Sequence, residues 1–179
     1  ILKSYHHAEN YQLRNVYDLR LTLFPNWTSH LLLALLMHNF PPLIGEKILL
    51  TMCISLIPLS LFYFLSGVHQ EPTPSLGRNV FGLVGFIYAY NYLLHMGFYN
   101  FTLSISLFFF TLGYWCRHQW LQPPNNLGVK KLSLLYVLLV ATYVTYYQSF
   151  ALLLLAITFL TIVSSLNTVA RNGESGSND

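Results

Sequence analysis

The chain has 179 residues, 54% of them hydrophobic and only 8% charged, with a formal net charge of +3. A soluble domain carries about 25% charged residues and breaks its apolar helical runs with a polar face, and this chain does neither. The small positive excess implies no nucleic-acid partner, so the composition points to an all-α, polytopic helical membrane protein whose first partner is the lipid bilayer.

Charge is also confined to a few places. After Arg20 the chain is uncharged until Glu46, after Lys47 until Glu71, after Arg78 until Arg117, and after Lys131 until Arg171. A hydrocarbon core about 30 Å thick takes about 20 apolar residues per helix, so 79–116 and 132–170 are each long enough for two crossings. A single helix over 79–116 would be about 57 Å long at 1.5 Å per residue, nearly twice that thickness. It must fold back, and "HMGFYN" around Gly97 is where it can.

In chain order, residues 1–27 form the most polar part and read as an external loop. The segment 28–40, "TSHLLLALLMHNF", has too short an apolar centre to cross. Pro25 and the Pro41–Pro42 pair bracket it, so it reads as a re-entrant or interfacial helix. About five spans follow: 48–67, kinked at Pro58; 80–94; 101–116; 132–147; and 150–166. Residues 28–166 thus make the transmembrane domain, and 167–179 read as a polar tail, disordered or a loop cut short. The chain opens at Ile1 without Met or a basic-then-apolar signal segment, and the expectation is a fragment of a longer protein. Cys53 and Cys116 fall in apolar runs and read as packed side chains rather than a disulfide framework.

Lysine and arginine set the orientation. Residues 117–131 hold Arg117, Lys130 and Lys131 and no acid, which puts them in the cytoplasm. Alternation then places the 95–100 tip outside, 68–79 inside and 41–47 outside. Residues 1–27 are outside if 28–40 is re-entrant. They are inside if it spans, which Lys3, Arg14 and Arg20 favour; segment length favours the first arrangement.

The polar residues of the spans are grouped. Tyr88, Asn91 and His95 follow i, i+3, i+7 spacing, one helix face. Asn100, Ser104 and Thr111 form a second stripe, Thr142, Thr145, Tyr146 and Ser149 a third, and Thr158, Thr161 and Ser165 a fourth. Hydroxyl stripes of this kind most often pack helix against helix, at about 0.6 kcal/mol per bond. Asn91 and His95 are equally consistent with a cavity, because polar intramembrane groups usually face one. His6, His7 and Glu9 match no zinc spacing, and His30 and His38, two turns apart, are a weak metal pair; no metal ligand set is assigned. The glycosylation sequons "NWT" and "NFT", at 26–28 and 100–102, lie too close to the membrane to be more than chance matches.

"FPNWTSHLLLALLMHNFPPLIGEKILL", then "HMGFYNFTLSISLFFFTLGYWCRH", then a basic linker, resembles uncharacterised bacterial polytopic membrane proteins. These are similar in turn to the C-class glycosyltransferases, which take sugars from polyprenyl-phosphate carriers. The likeness covers roughly residues 20–166. It implies an integral protein of the bacterial inner (plasma) membrane, with a first external loop bearing a catalytic Asp or Glu. A proline-bearing dip would match Pro25–Asn26, and a Gly-x-x-Asn-like tip would match Gly97 and Asn100. The resemblance makes Asp18 and Glu9 the carboxylate bases, Arg14 and Arg20 the phosphate contacts, and His30, Asn91, His95, Tyr99 and Asn100 the substrate-binding set. A polyprenyl-phosphate sugar would be the donor, and either cations of the chain or a bound divalent cation would hold its phosphate. The family's carboxylate lies just after a first span that this chain lacks, so the base is equally expected upstream of Ile1. A transporter or a non-catalytic membrane scaffold is the alternative. A transporter of this size should show internal symmetry, and none is evident.

Overall fold

The computed structural model describes residues 25–68, 76–120 and 128–175, and every regular element among them is helical. These elements are α1 (Thr28–Asn39), α2 (Pro42–Val68), α3 (Leu76–Ala89), a single turn α4 (Tyr92–His95) and α5 (Tyr99–Trp115). A π-helical turn (Cys116–Trp120) follows, then α6 (Val129–Thr145) and α7 (Tyr147–Ser175).

Helix α1 has 12 residues and is therefore about 18 Å long. Phe40 ends it in extended backbone, as expected for a residue that precedes proline. Helix α2 begins at Pro42, six positions before the expected 48, because proline suits the first helical turn, where its missing N–H costs nothing. Its 27 residues run through Pro58, which cannot donate to the carbonyl of Ile54. Among the described residues, two helices are long and apolar enough to cross a membrane by length and composition, Pro42–Val68 and Tyr147–Leu166.

The other three expected spans are shorter helices. Helix α3 has 14 residues and stops at Ala89, not 94, because the side chain of Asn91 accepts a hydrogen bond from the N–H of Leu94 and starts a new turn. Helices α5 and α6 have 17 residues each, and the π-helical turn continues α5 without a break. The break between the last two helices falls at Tyr146, which is extended, rather than at 148–149. The tail expected over 167–179 is helical as far as Ser175.

Two apolar clusters fix the packing. Leu49 and Cys53 of α2 meet Leu103 of α5 and Leu94, with Leu32, Leu33 and Leu36 of α1 against them. Tyr63, Phe64 and Val68 of α2 meet Leu112, Tyr114, Trp115 and Cys116, together with Leu135 of α6 and Leu153 of α7. The first half of α2 thus lies beside the first half of α5, and the two run parallel. Helix α2 also packs on α1 and α3, and α5 on α6 and α7. Both cysteines are buried and free, one in each cluster.

Glycine lets α2 approach its neighbours closely. A Cβ on Gly113 would lie 2.8 Å from Cα of Phe64, and one on Gly67 would lie 2.9 Å from the carbonyl of Gly113. A Cβ on Gly85 would meet Cα of Pro58 at 2.8 Å, so α3 crosses α2 where proline interrupts its ladder. Around this core the outer surface is apolar: Leu35, Leu59, Leu83, Ile87, Val137, Leu155, Phe159 and Ile162 are all exposed.

Candidate functional site

The chain reverses between Tyr90 and Tyr99 at one end of the bundle, hereafter the tip end. Gly97 sits at φ +79, a left-handed conformation that glycine adopts without steric cost. Here the lead-in to α1, the start of α5 and the α6–α7 junction converge.

Asn100 is the centre of that convergence, and it is only 6% exposed. Its Oδ1 accepts the N–H of Ser29 at 2.6 Å, and its Nδ2 donates to the carbonyl of Asn26 at 2.7 Å. The first bond has a simple cause. The early N–H groups of a helix have no partner inside it, and Trp27, at the cap position of α1, makes no side-chain capping bond. Asn100 supplies the missing oxygen from another helix. The N–H of Asn26 donates in turn to the carbonyl of Val144 at 2.9 Å, in the last turn of α6, where carbonyls lack helical partners. Thr28 and Thr145 share a hydroxyl contact of 2.9 Å. These bonds hold Asn26 at φ 114, a positive value uncommon outside glycine.

The hydroxyl stripes expected on α5 and across the α6–α7 junction face each other. Ser104 and Ser149 are 2.7 Å apart through their hydroxyls, and Thr111 and Thr142 are 3.4 Å apart. All four are buried. The fourth stripe behaves differently: Thr158, Thr161 and Ser165 are exposed and donate to carbonyls of their own helix.

The expected substrate-binding residues do not form one group. Tyr88, Asn91 and His95 do not share a helix face, because α3 has ended before Asn91. The amide of Asn91 turns inward on its own segment, donating to the carbonyl of Tyr88 at 2.9 Å while capping Leu94. His95 is exposed, its ring edge-on to Tyr90 at 4.6 Å. Tyr99 packs against the Leu49–Leu103 cluster, and His30 is exposed on α1. Of these residues, Asn100 alone bonds to the start of α1 and its lead-in among the described residues. Glu9, Arg14, Asp18 and Arg20 lie outside the described residues, as do His6 and His7. Among the described residues no three His, Cys, Asp or Glu side chains gather as a metal would require.

One acid was passed over in the sequence. Glu46 is exposed in the first turns of α2. The signal was available, since charge alternation puts 41–47 on the same side as the tip. The tip end is also rich in exposed aromatic rings, with Trp27, Tyr88, Tyr90, Tyr92, Tyr143 and Tyr147 all at the surface. No known protein family, curated protein or solved structure matches the chain.

Proposed function

We propose that this chain is an integral membrane domain of five spans, α2, α3, α5, α6 and α7, with α1 re-entrant from the tip side. Its outward apolar side chains then meet lipid. The tyrosines and Trp27 of the tip end sit at the headgroup level, where amphipathic rings are favoured. Arg117, Lys130 and Lys131 at the opposite end make that end cytoplasmic, and the tip end is external.

We further propose that the tip end transfers a sugar from a polyprenyl-phosphate carrier to an external acceptor, as the resemblance to C-class glycosyltransferases implies. One observation carries this reading: the two hydrogen bonds of Asn100 fasten Asn26 and Ser29 to the tip. The polar segment with Glu9, Arg14, Asp18 and Arg20 precedes those residues in the chain. A carboxylate there would take the proton of the acceptor hydroxyl, arginine would hold the phosphate leaving group with charge-assisted bonds, and exposed His95 would contact the sugar.

A non-catalytic scaffold is the second reading, and a specific observation favours it. Asn91, Asn100, Ser104 and Thr142 all spend their polar atoms on the protein itself. Transfer from a radiolabelled polyprenyl-phosphate sugar by the full-length protein separates the two. The transferase reading expects Asp18→Asn, Glu9→Gln or Glu46→Gln to lower turnover by about 100-fold or more without loss of folded protein. Absence of turnover in the unmodified protein, across hexose and pentose donors, leaves the scaffold.

A further inference from the structure

The end of the bundle opposite the tip holds a different constellation, built where α5 passes into its π-helical turn. Such turns are rare and frequent at functional sites. Arg117 and His118 are presented from this turn, and Lys130 and Lys131 from the first turn of α6. Residues 117–131 contain no acid at all, so these cations have no carboxylate from their own segment.

Arg117 is partly committed. Its Nη2 donates to the hydroxyl of Ser66 and to the carbonyl of Tyr63 at 3.5 Å. Its guanidinium lies 4.3 Å from the centre of the Tyr63 ring. Those contacts seat it against the last turns of α2, where helix carbonyls favour a cation. Its Nε is nevertheless buried without a partner. On the next residue, Nδ1 of His118 is also buried without a partner. The His118 ring lies 4.5 Å from the ring of Tyr114, and the Tyr114 hydroxyl donates to the carbonyl of Lys131 at 3.1 Å. The start of α6 is thereby tied down beside the π-helical turn.

Two nitrogens on consecutive residues, each buried and unpaired, cost free energy that a buried polar group normally avoids by finding a partner. Both can donate, Nε always and Nδ1 in the appropriate tautomer or when protonated. Lys131 adds a positive charge beside them. Burial, then the charges of Lys131 and Arg117, hold His118 below its ordinary pKa. We infer that Arg117, His118 and Lys131 bind a phosphate group at this end of the bundle, carried by an anionic lipid headgroup or free in solution. A phosphate oxygen fits the fork of an arginine and accepts charge-assisted bonds. At a membrane surface, headgroup phosphates are the anions present at highest local concentration. This site does not depend on the transferase reading and lies at the other end of the fold from it.

The test uses the full chain labelled with 15N-histidine in maltoside micelles, which contain no phosphate. The His118 signal is assigned from its disappearance in His118→Gln. Phosphatidylglycerol is added in one arm and sodium phosphate in the other. The expected result is a saturable shift of the His118 Nδ1 resonance and a rise of about one unit in its titration midpoint, as a neighbouring anion favours the charged ring. Response to phosphatidylglycerol alone assigns the lipid headgroup, and response to sodium phosphate as well assigns a soluble phosphate; both support the site. Arg117→Gln should abolish the response, but it also removes the bond to Ser66 and can disturb the fold. Lys131→Gln, at an exposed position, should keep the protein folded and weaken binding about fivefold. No shift in either arm overturns the site, as does an unchanged response in Lys131→Gln.

Discussion

Asn100 is the residue on which the tip end turns, and what it does is set by two amide atoms used in opposite senses. Replacing it with Leu strands the buried N–H of Ser29, at about 1–3 kcal/mol, and also removes the donor to the carbonyl of Asn26, which is on an exposed residue and costs less. Thermal unfolding of the purified protein in detergent should show Asn100→Leu destabilised by about 2–4 kcal/mol. Asn100→Asp keeps the acceptor for Ser29 and loses the donor to Asn26, so it should be destabilised as well. An Asn100→Leu variant as stable as the parent would refute the clasp. Gly97 offers a contrast, because a Cβ there meets nothing within 4 Å and only its φ of +79 resists substitution. Gly97→Ala should therefore cost only about 1–2 kcal/mol of backbone strain, with packing unchanged by tryptophan fluorescence. Residue identity alone marked Gly97 and Asn100 as the turn. The partners of Asn100 were not legible, since they lie more than 70 positions away in sequence and no local pattern encodes that pairing.

Among the elements, the existence of each helix was legible from apolar run length, but the ends of the helices were not. Residues 91–94 belong to the expected 80–94 span by hydropathy, yet the side chain of Asn91 prefers to cap a new turn over continuing the old one. Likewise Pro42 starts α2, where apolarity alone suggested Ile48. The hydroxyl stripes were visible by spacing, and their facing arrangement follows once α5 and α6 run antiparallel. The contact of α2 with α5 was hidden, because glycine reads the same in a loose turn as in a tight crossing. Here it is the crossing that matters. Gly113→Val should push the backbone of Phe64 and lower stability by about 1–3 kcal/mol or more, a larger loss than from Val at the open position Gly128; denaturant titration of both variants decides this. The π-helical turn left no recognisable trace in "CRHQW". It should carry a pH dependence, because burial, and then the charges of Lys131 and Arg117, disfavour the protonated ring of His118. Its pKa in the folded protein lies below the ordinary 6.5, so the unfolded chain binds the proton first. Stability is then full above about pH 6.5 and falls as pH drops below it. In phosphate-free detergent His118→Gln should flatten the melting temperature between pH 7 and the acid limb, and a slope identical to that of the parent would show that other groups are responsible.

At the scale of the whole molecule, the parallel course of α2 and α5 and the antiparallel course of α6 put the tip and the basic turn at opposite ends. In a chain freed of Cys53 and Cys116 by serine replacement, His95→Cys and Lys130→Cys should react with an impermeant thiol reagent from opposite faces of the membrane. A third site at His38, next to the Pro41–Pro42 pair, should report the face of His95, because the 12 residues of α1 reach only about 18 Å. Labelling of His95→Cys and Lys130→Cys from one face would remove the five-span arrangement. Composition and charge spacing made the helical class legible at this scale. The short lengths of α3, α5 and α6 were not, because hydropathy averages over turns that capping residues divide.

The glycine crossing of α2 and α5 also bears on how the protein is made. Neighbouring helices that run parallel cannot be brought together by the turn that joins them, so in the five-span arrangement α3 must cross the bilayer before α5 can reach α2. Until then Gly67 and the backbone at Phe64 have no partner, and α2 is left with only α1 and α3 against it. The nascent chain therefore passes through a stage in which α2, 27 residues long, lacks its main neighbour. A ribosome-stalled product ending before residue 99 should be extracted or degraded far more readily than one ending after residue 120. Quality control during insertion, rather than the finished fold, is where substitutions at Gly113 would first be felt.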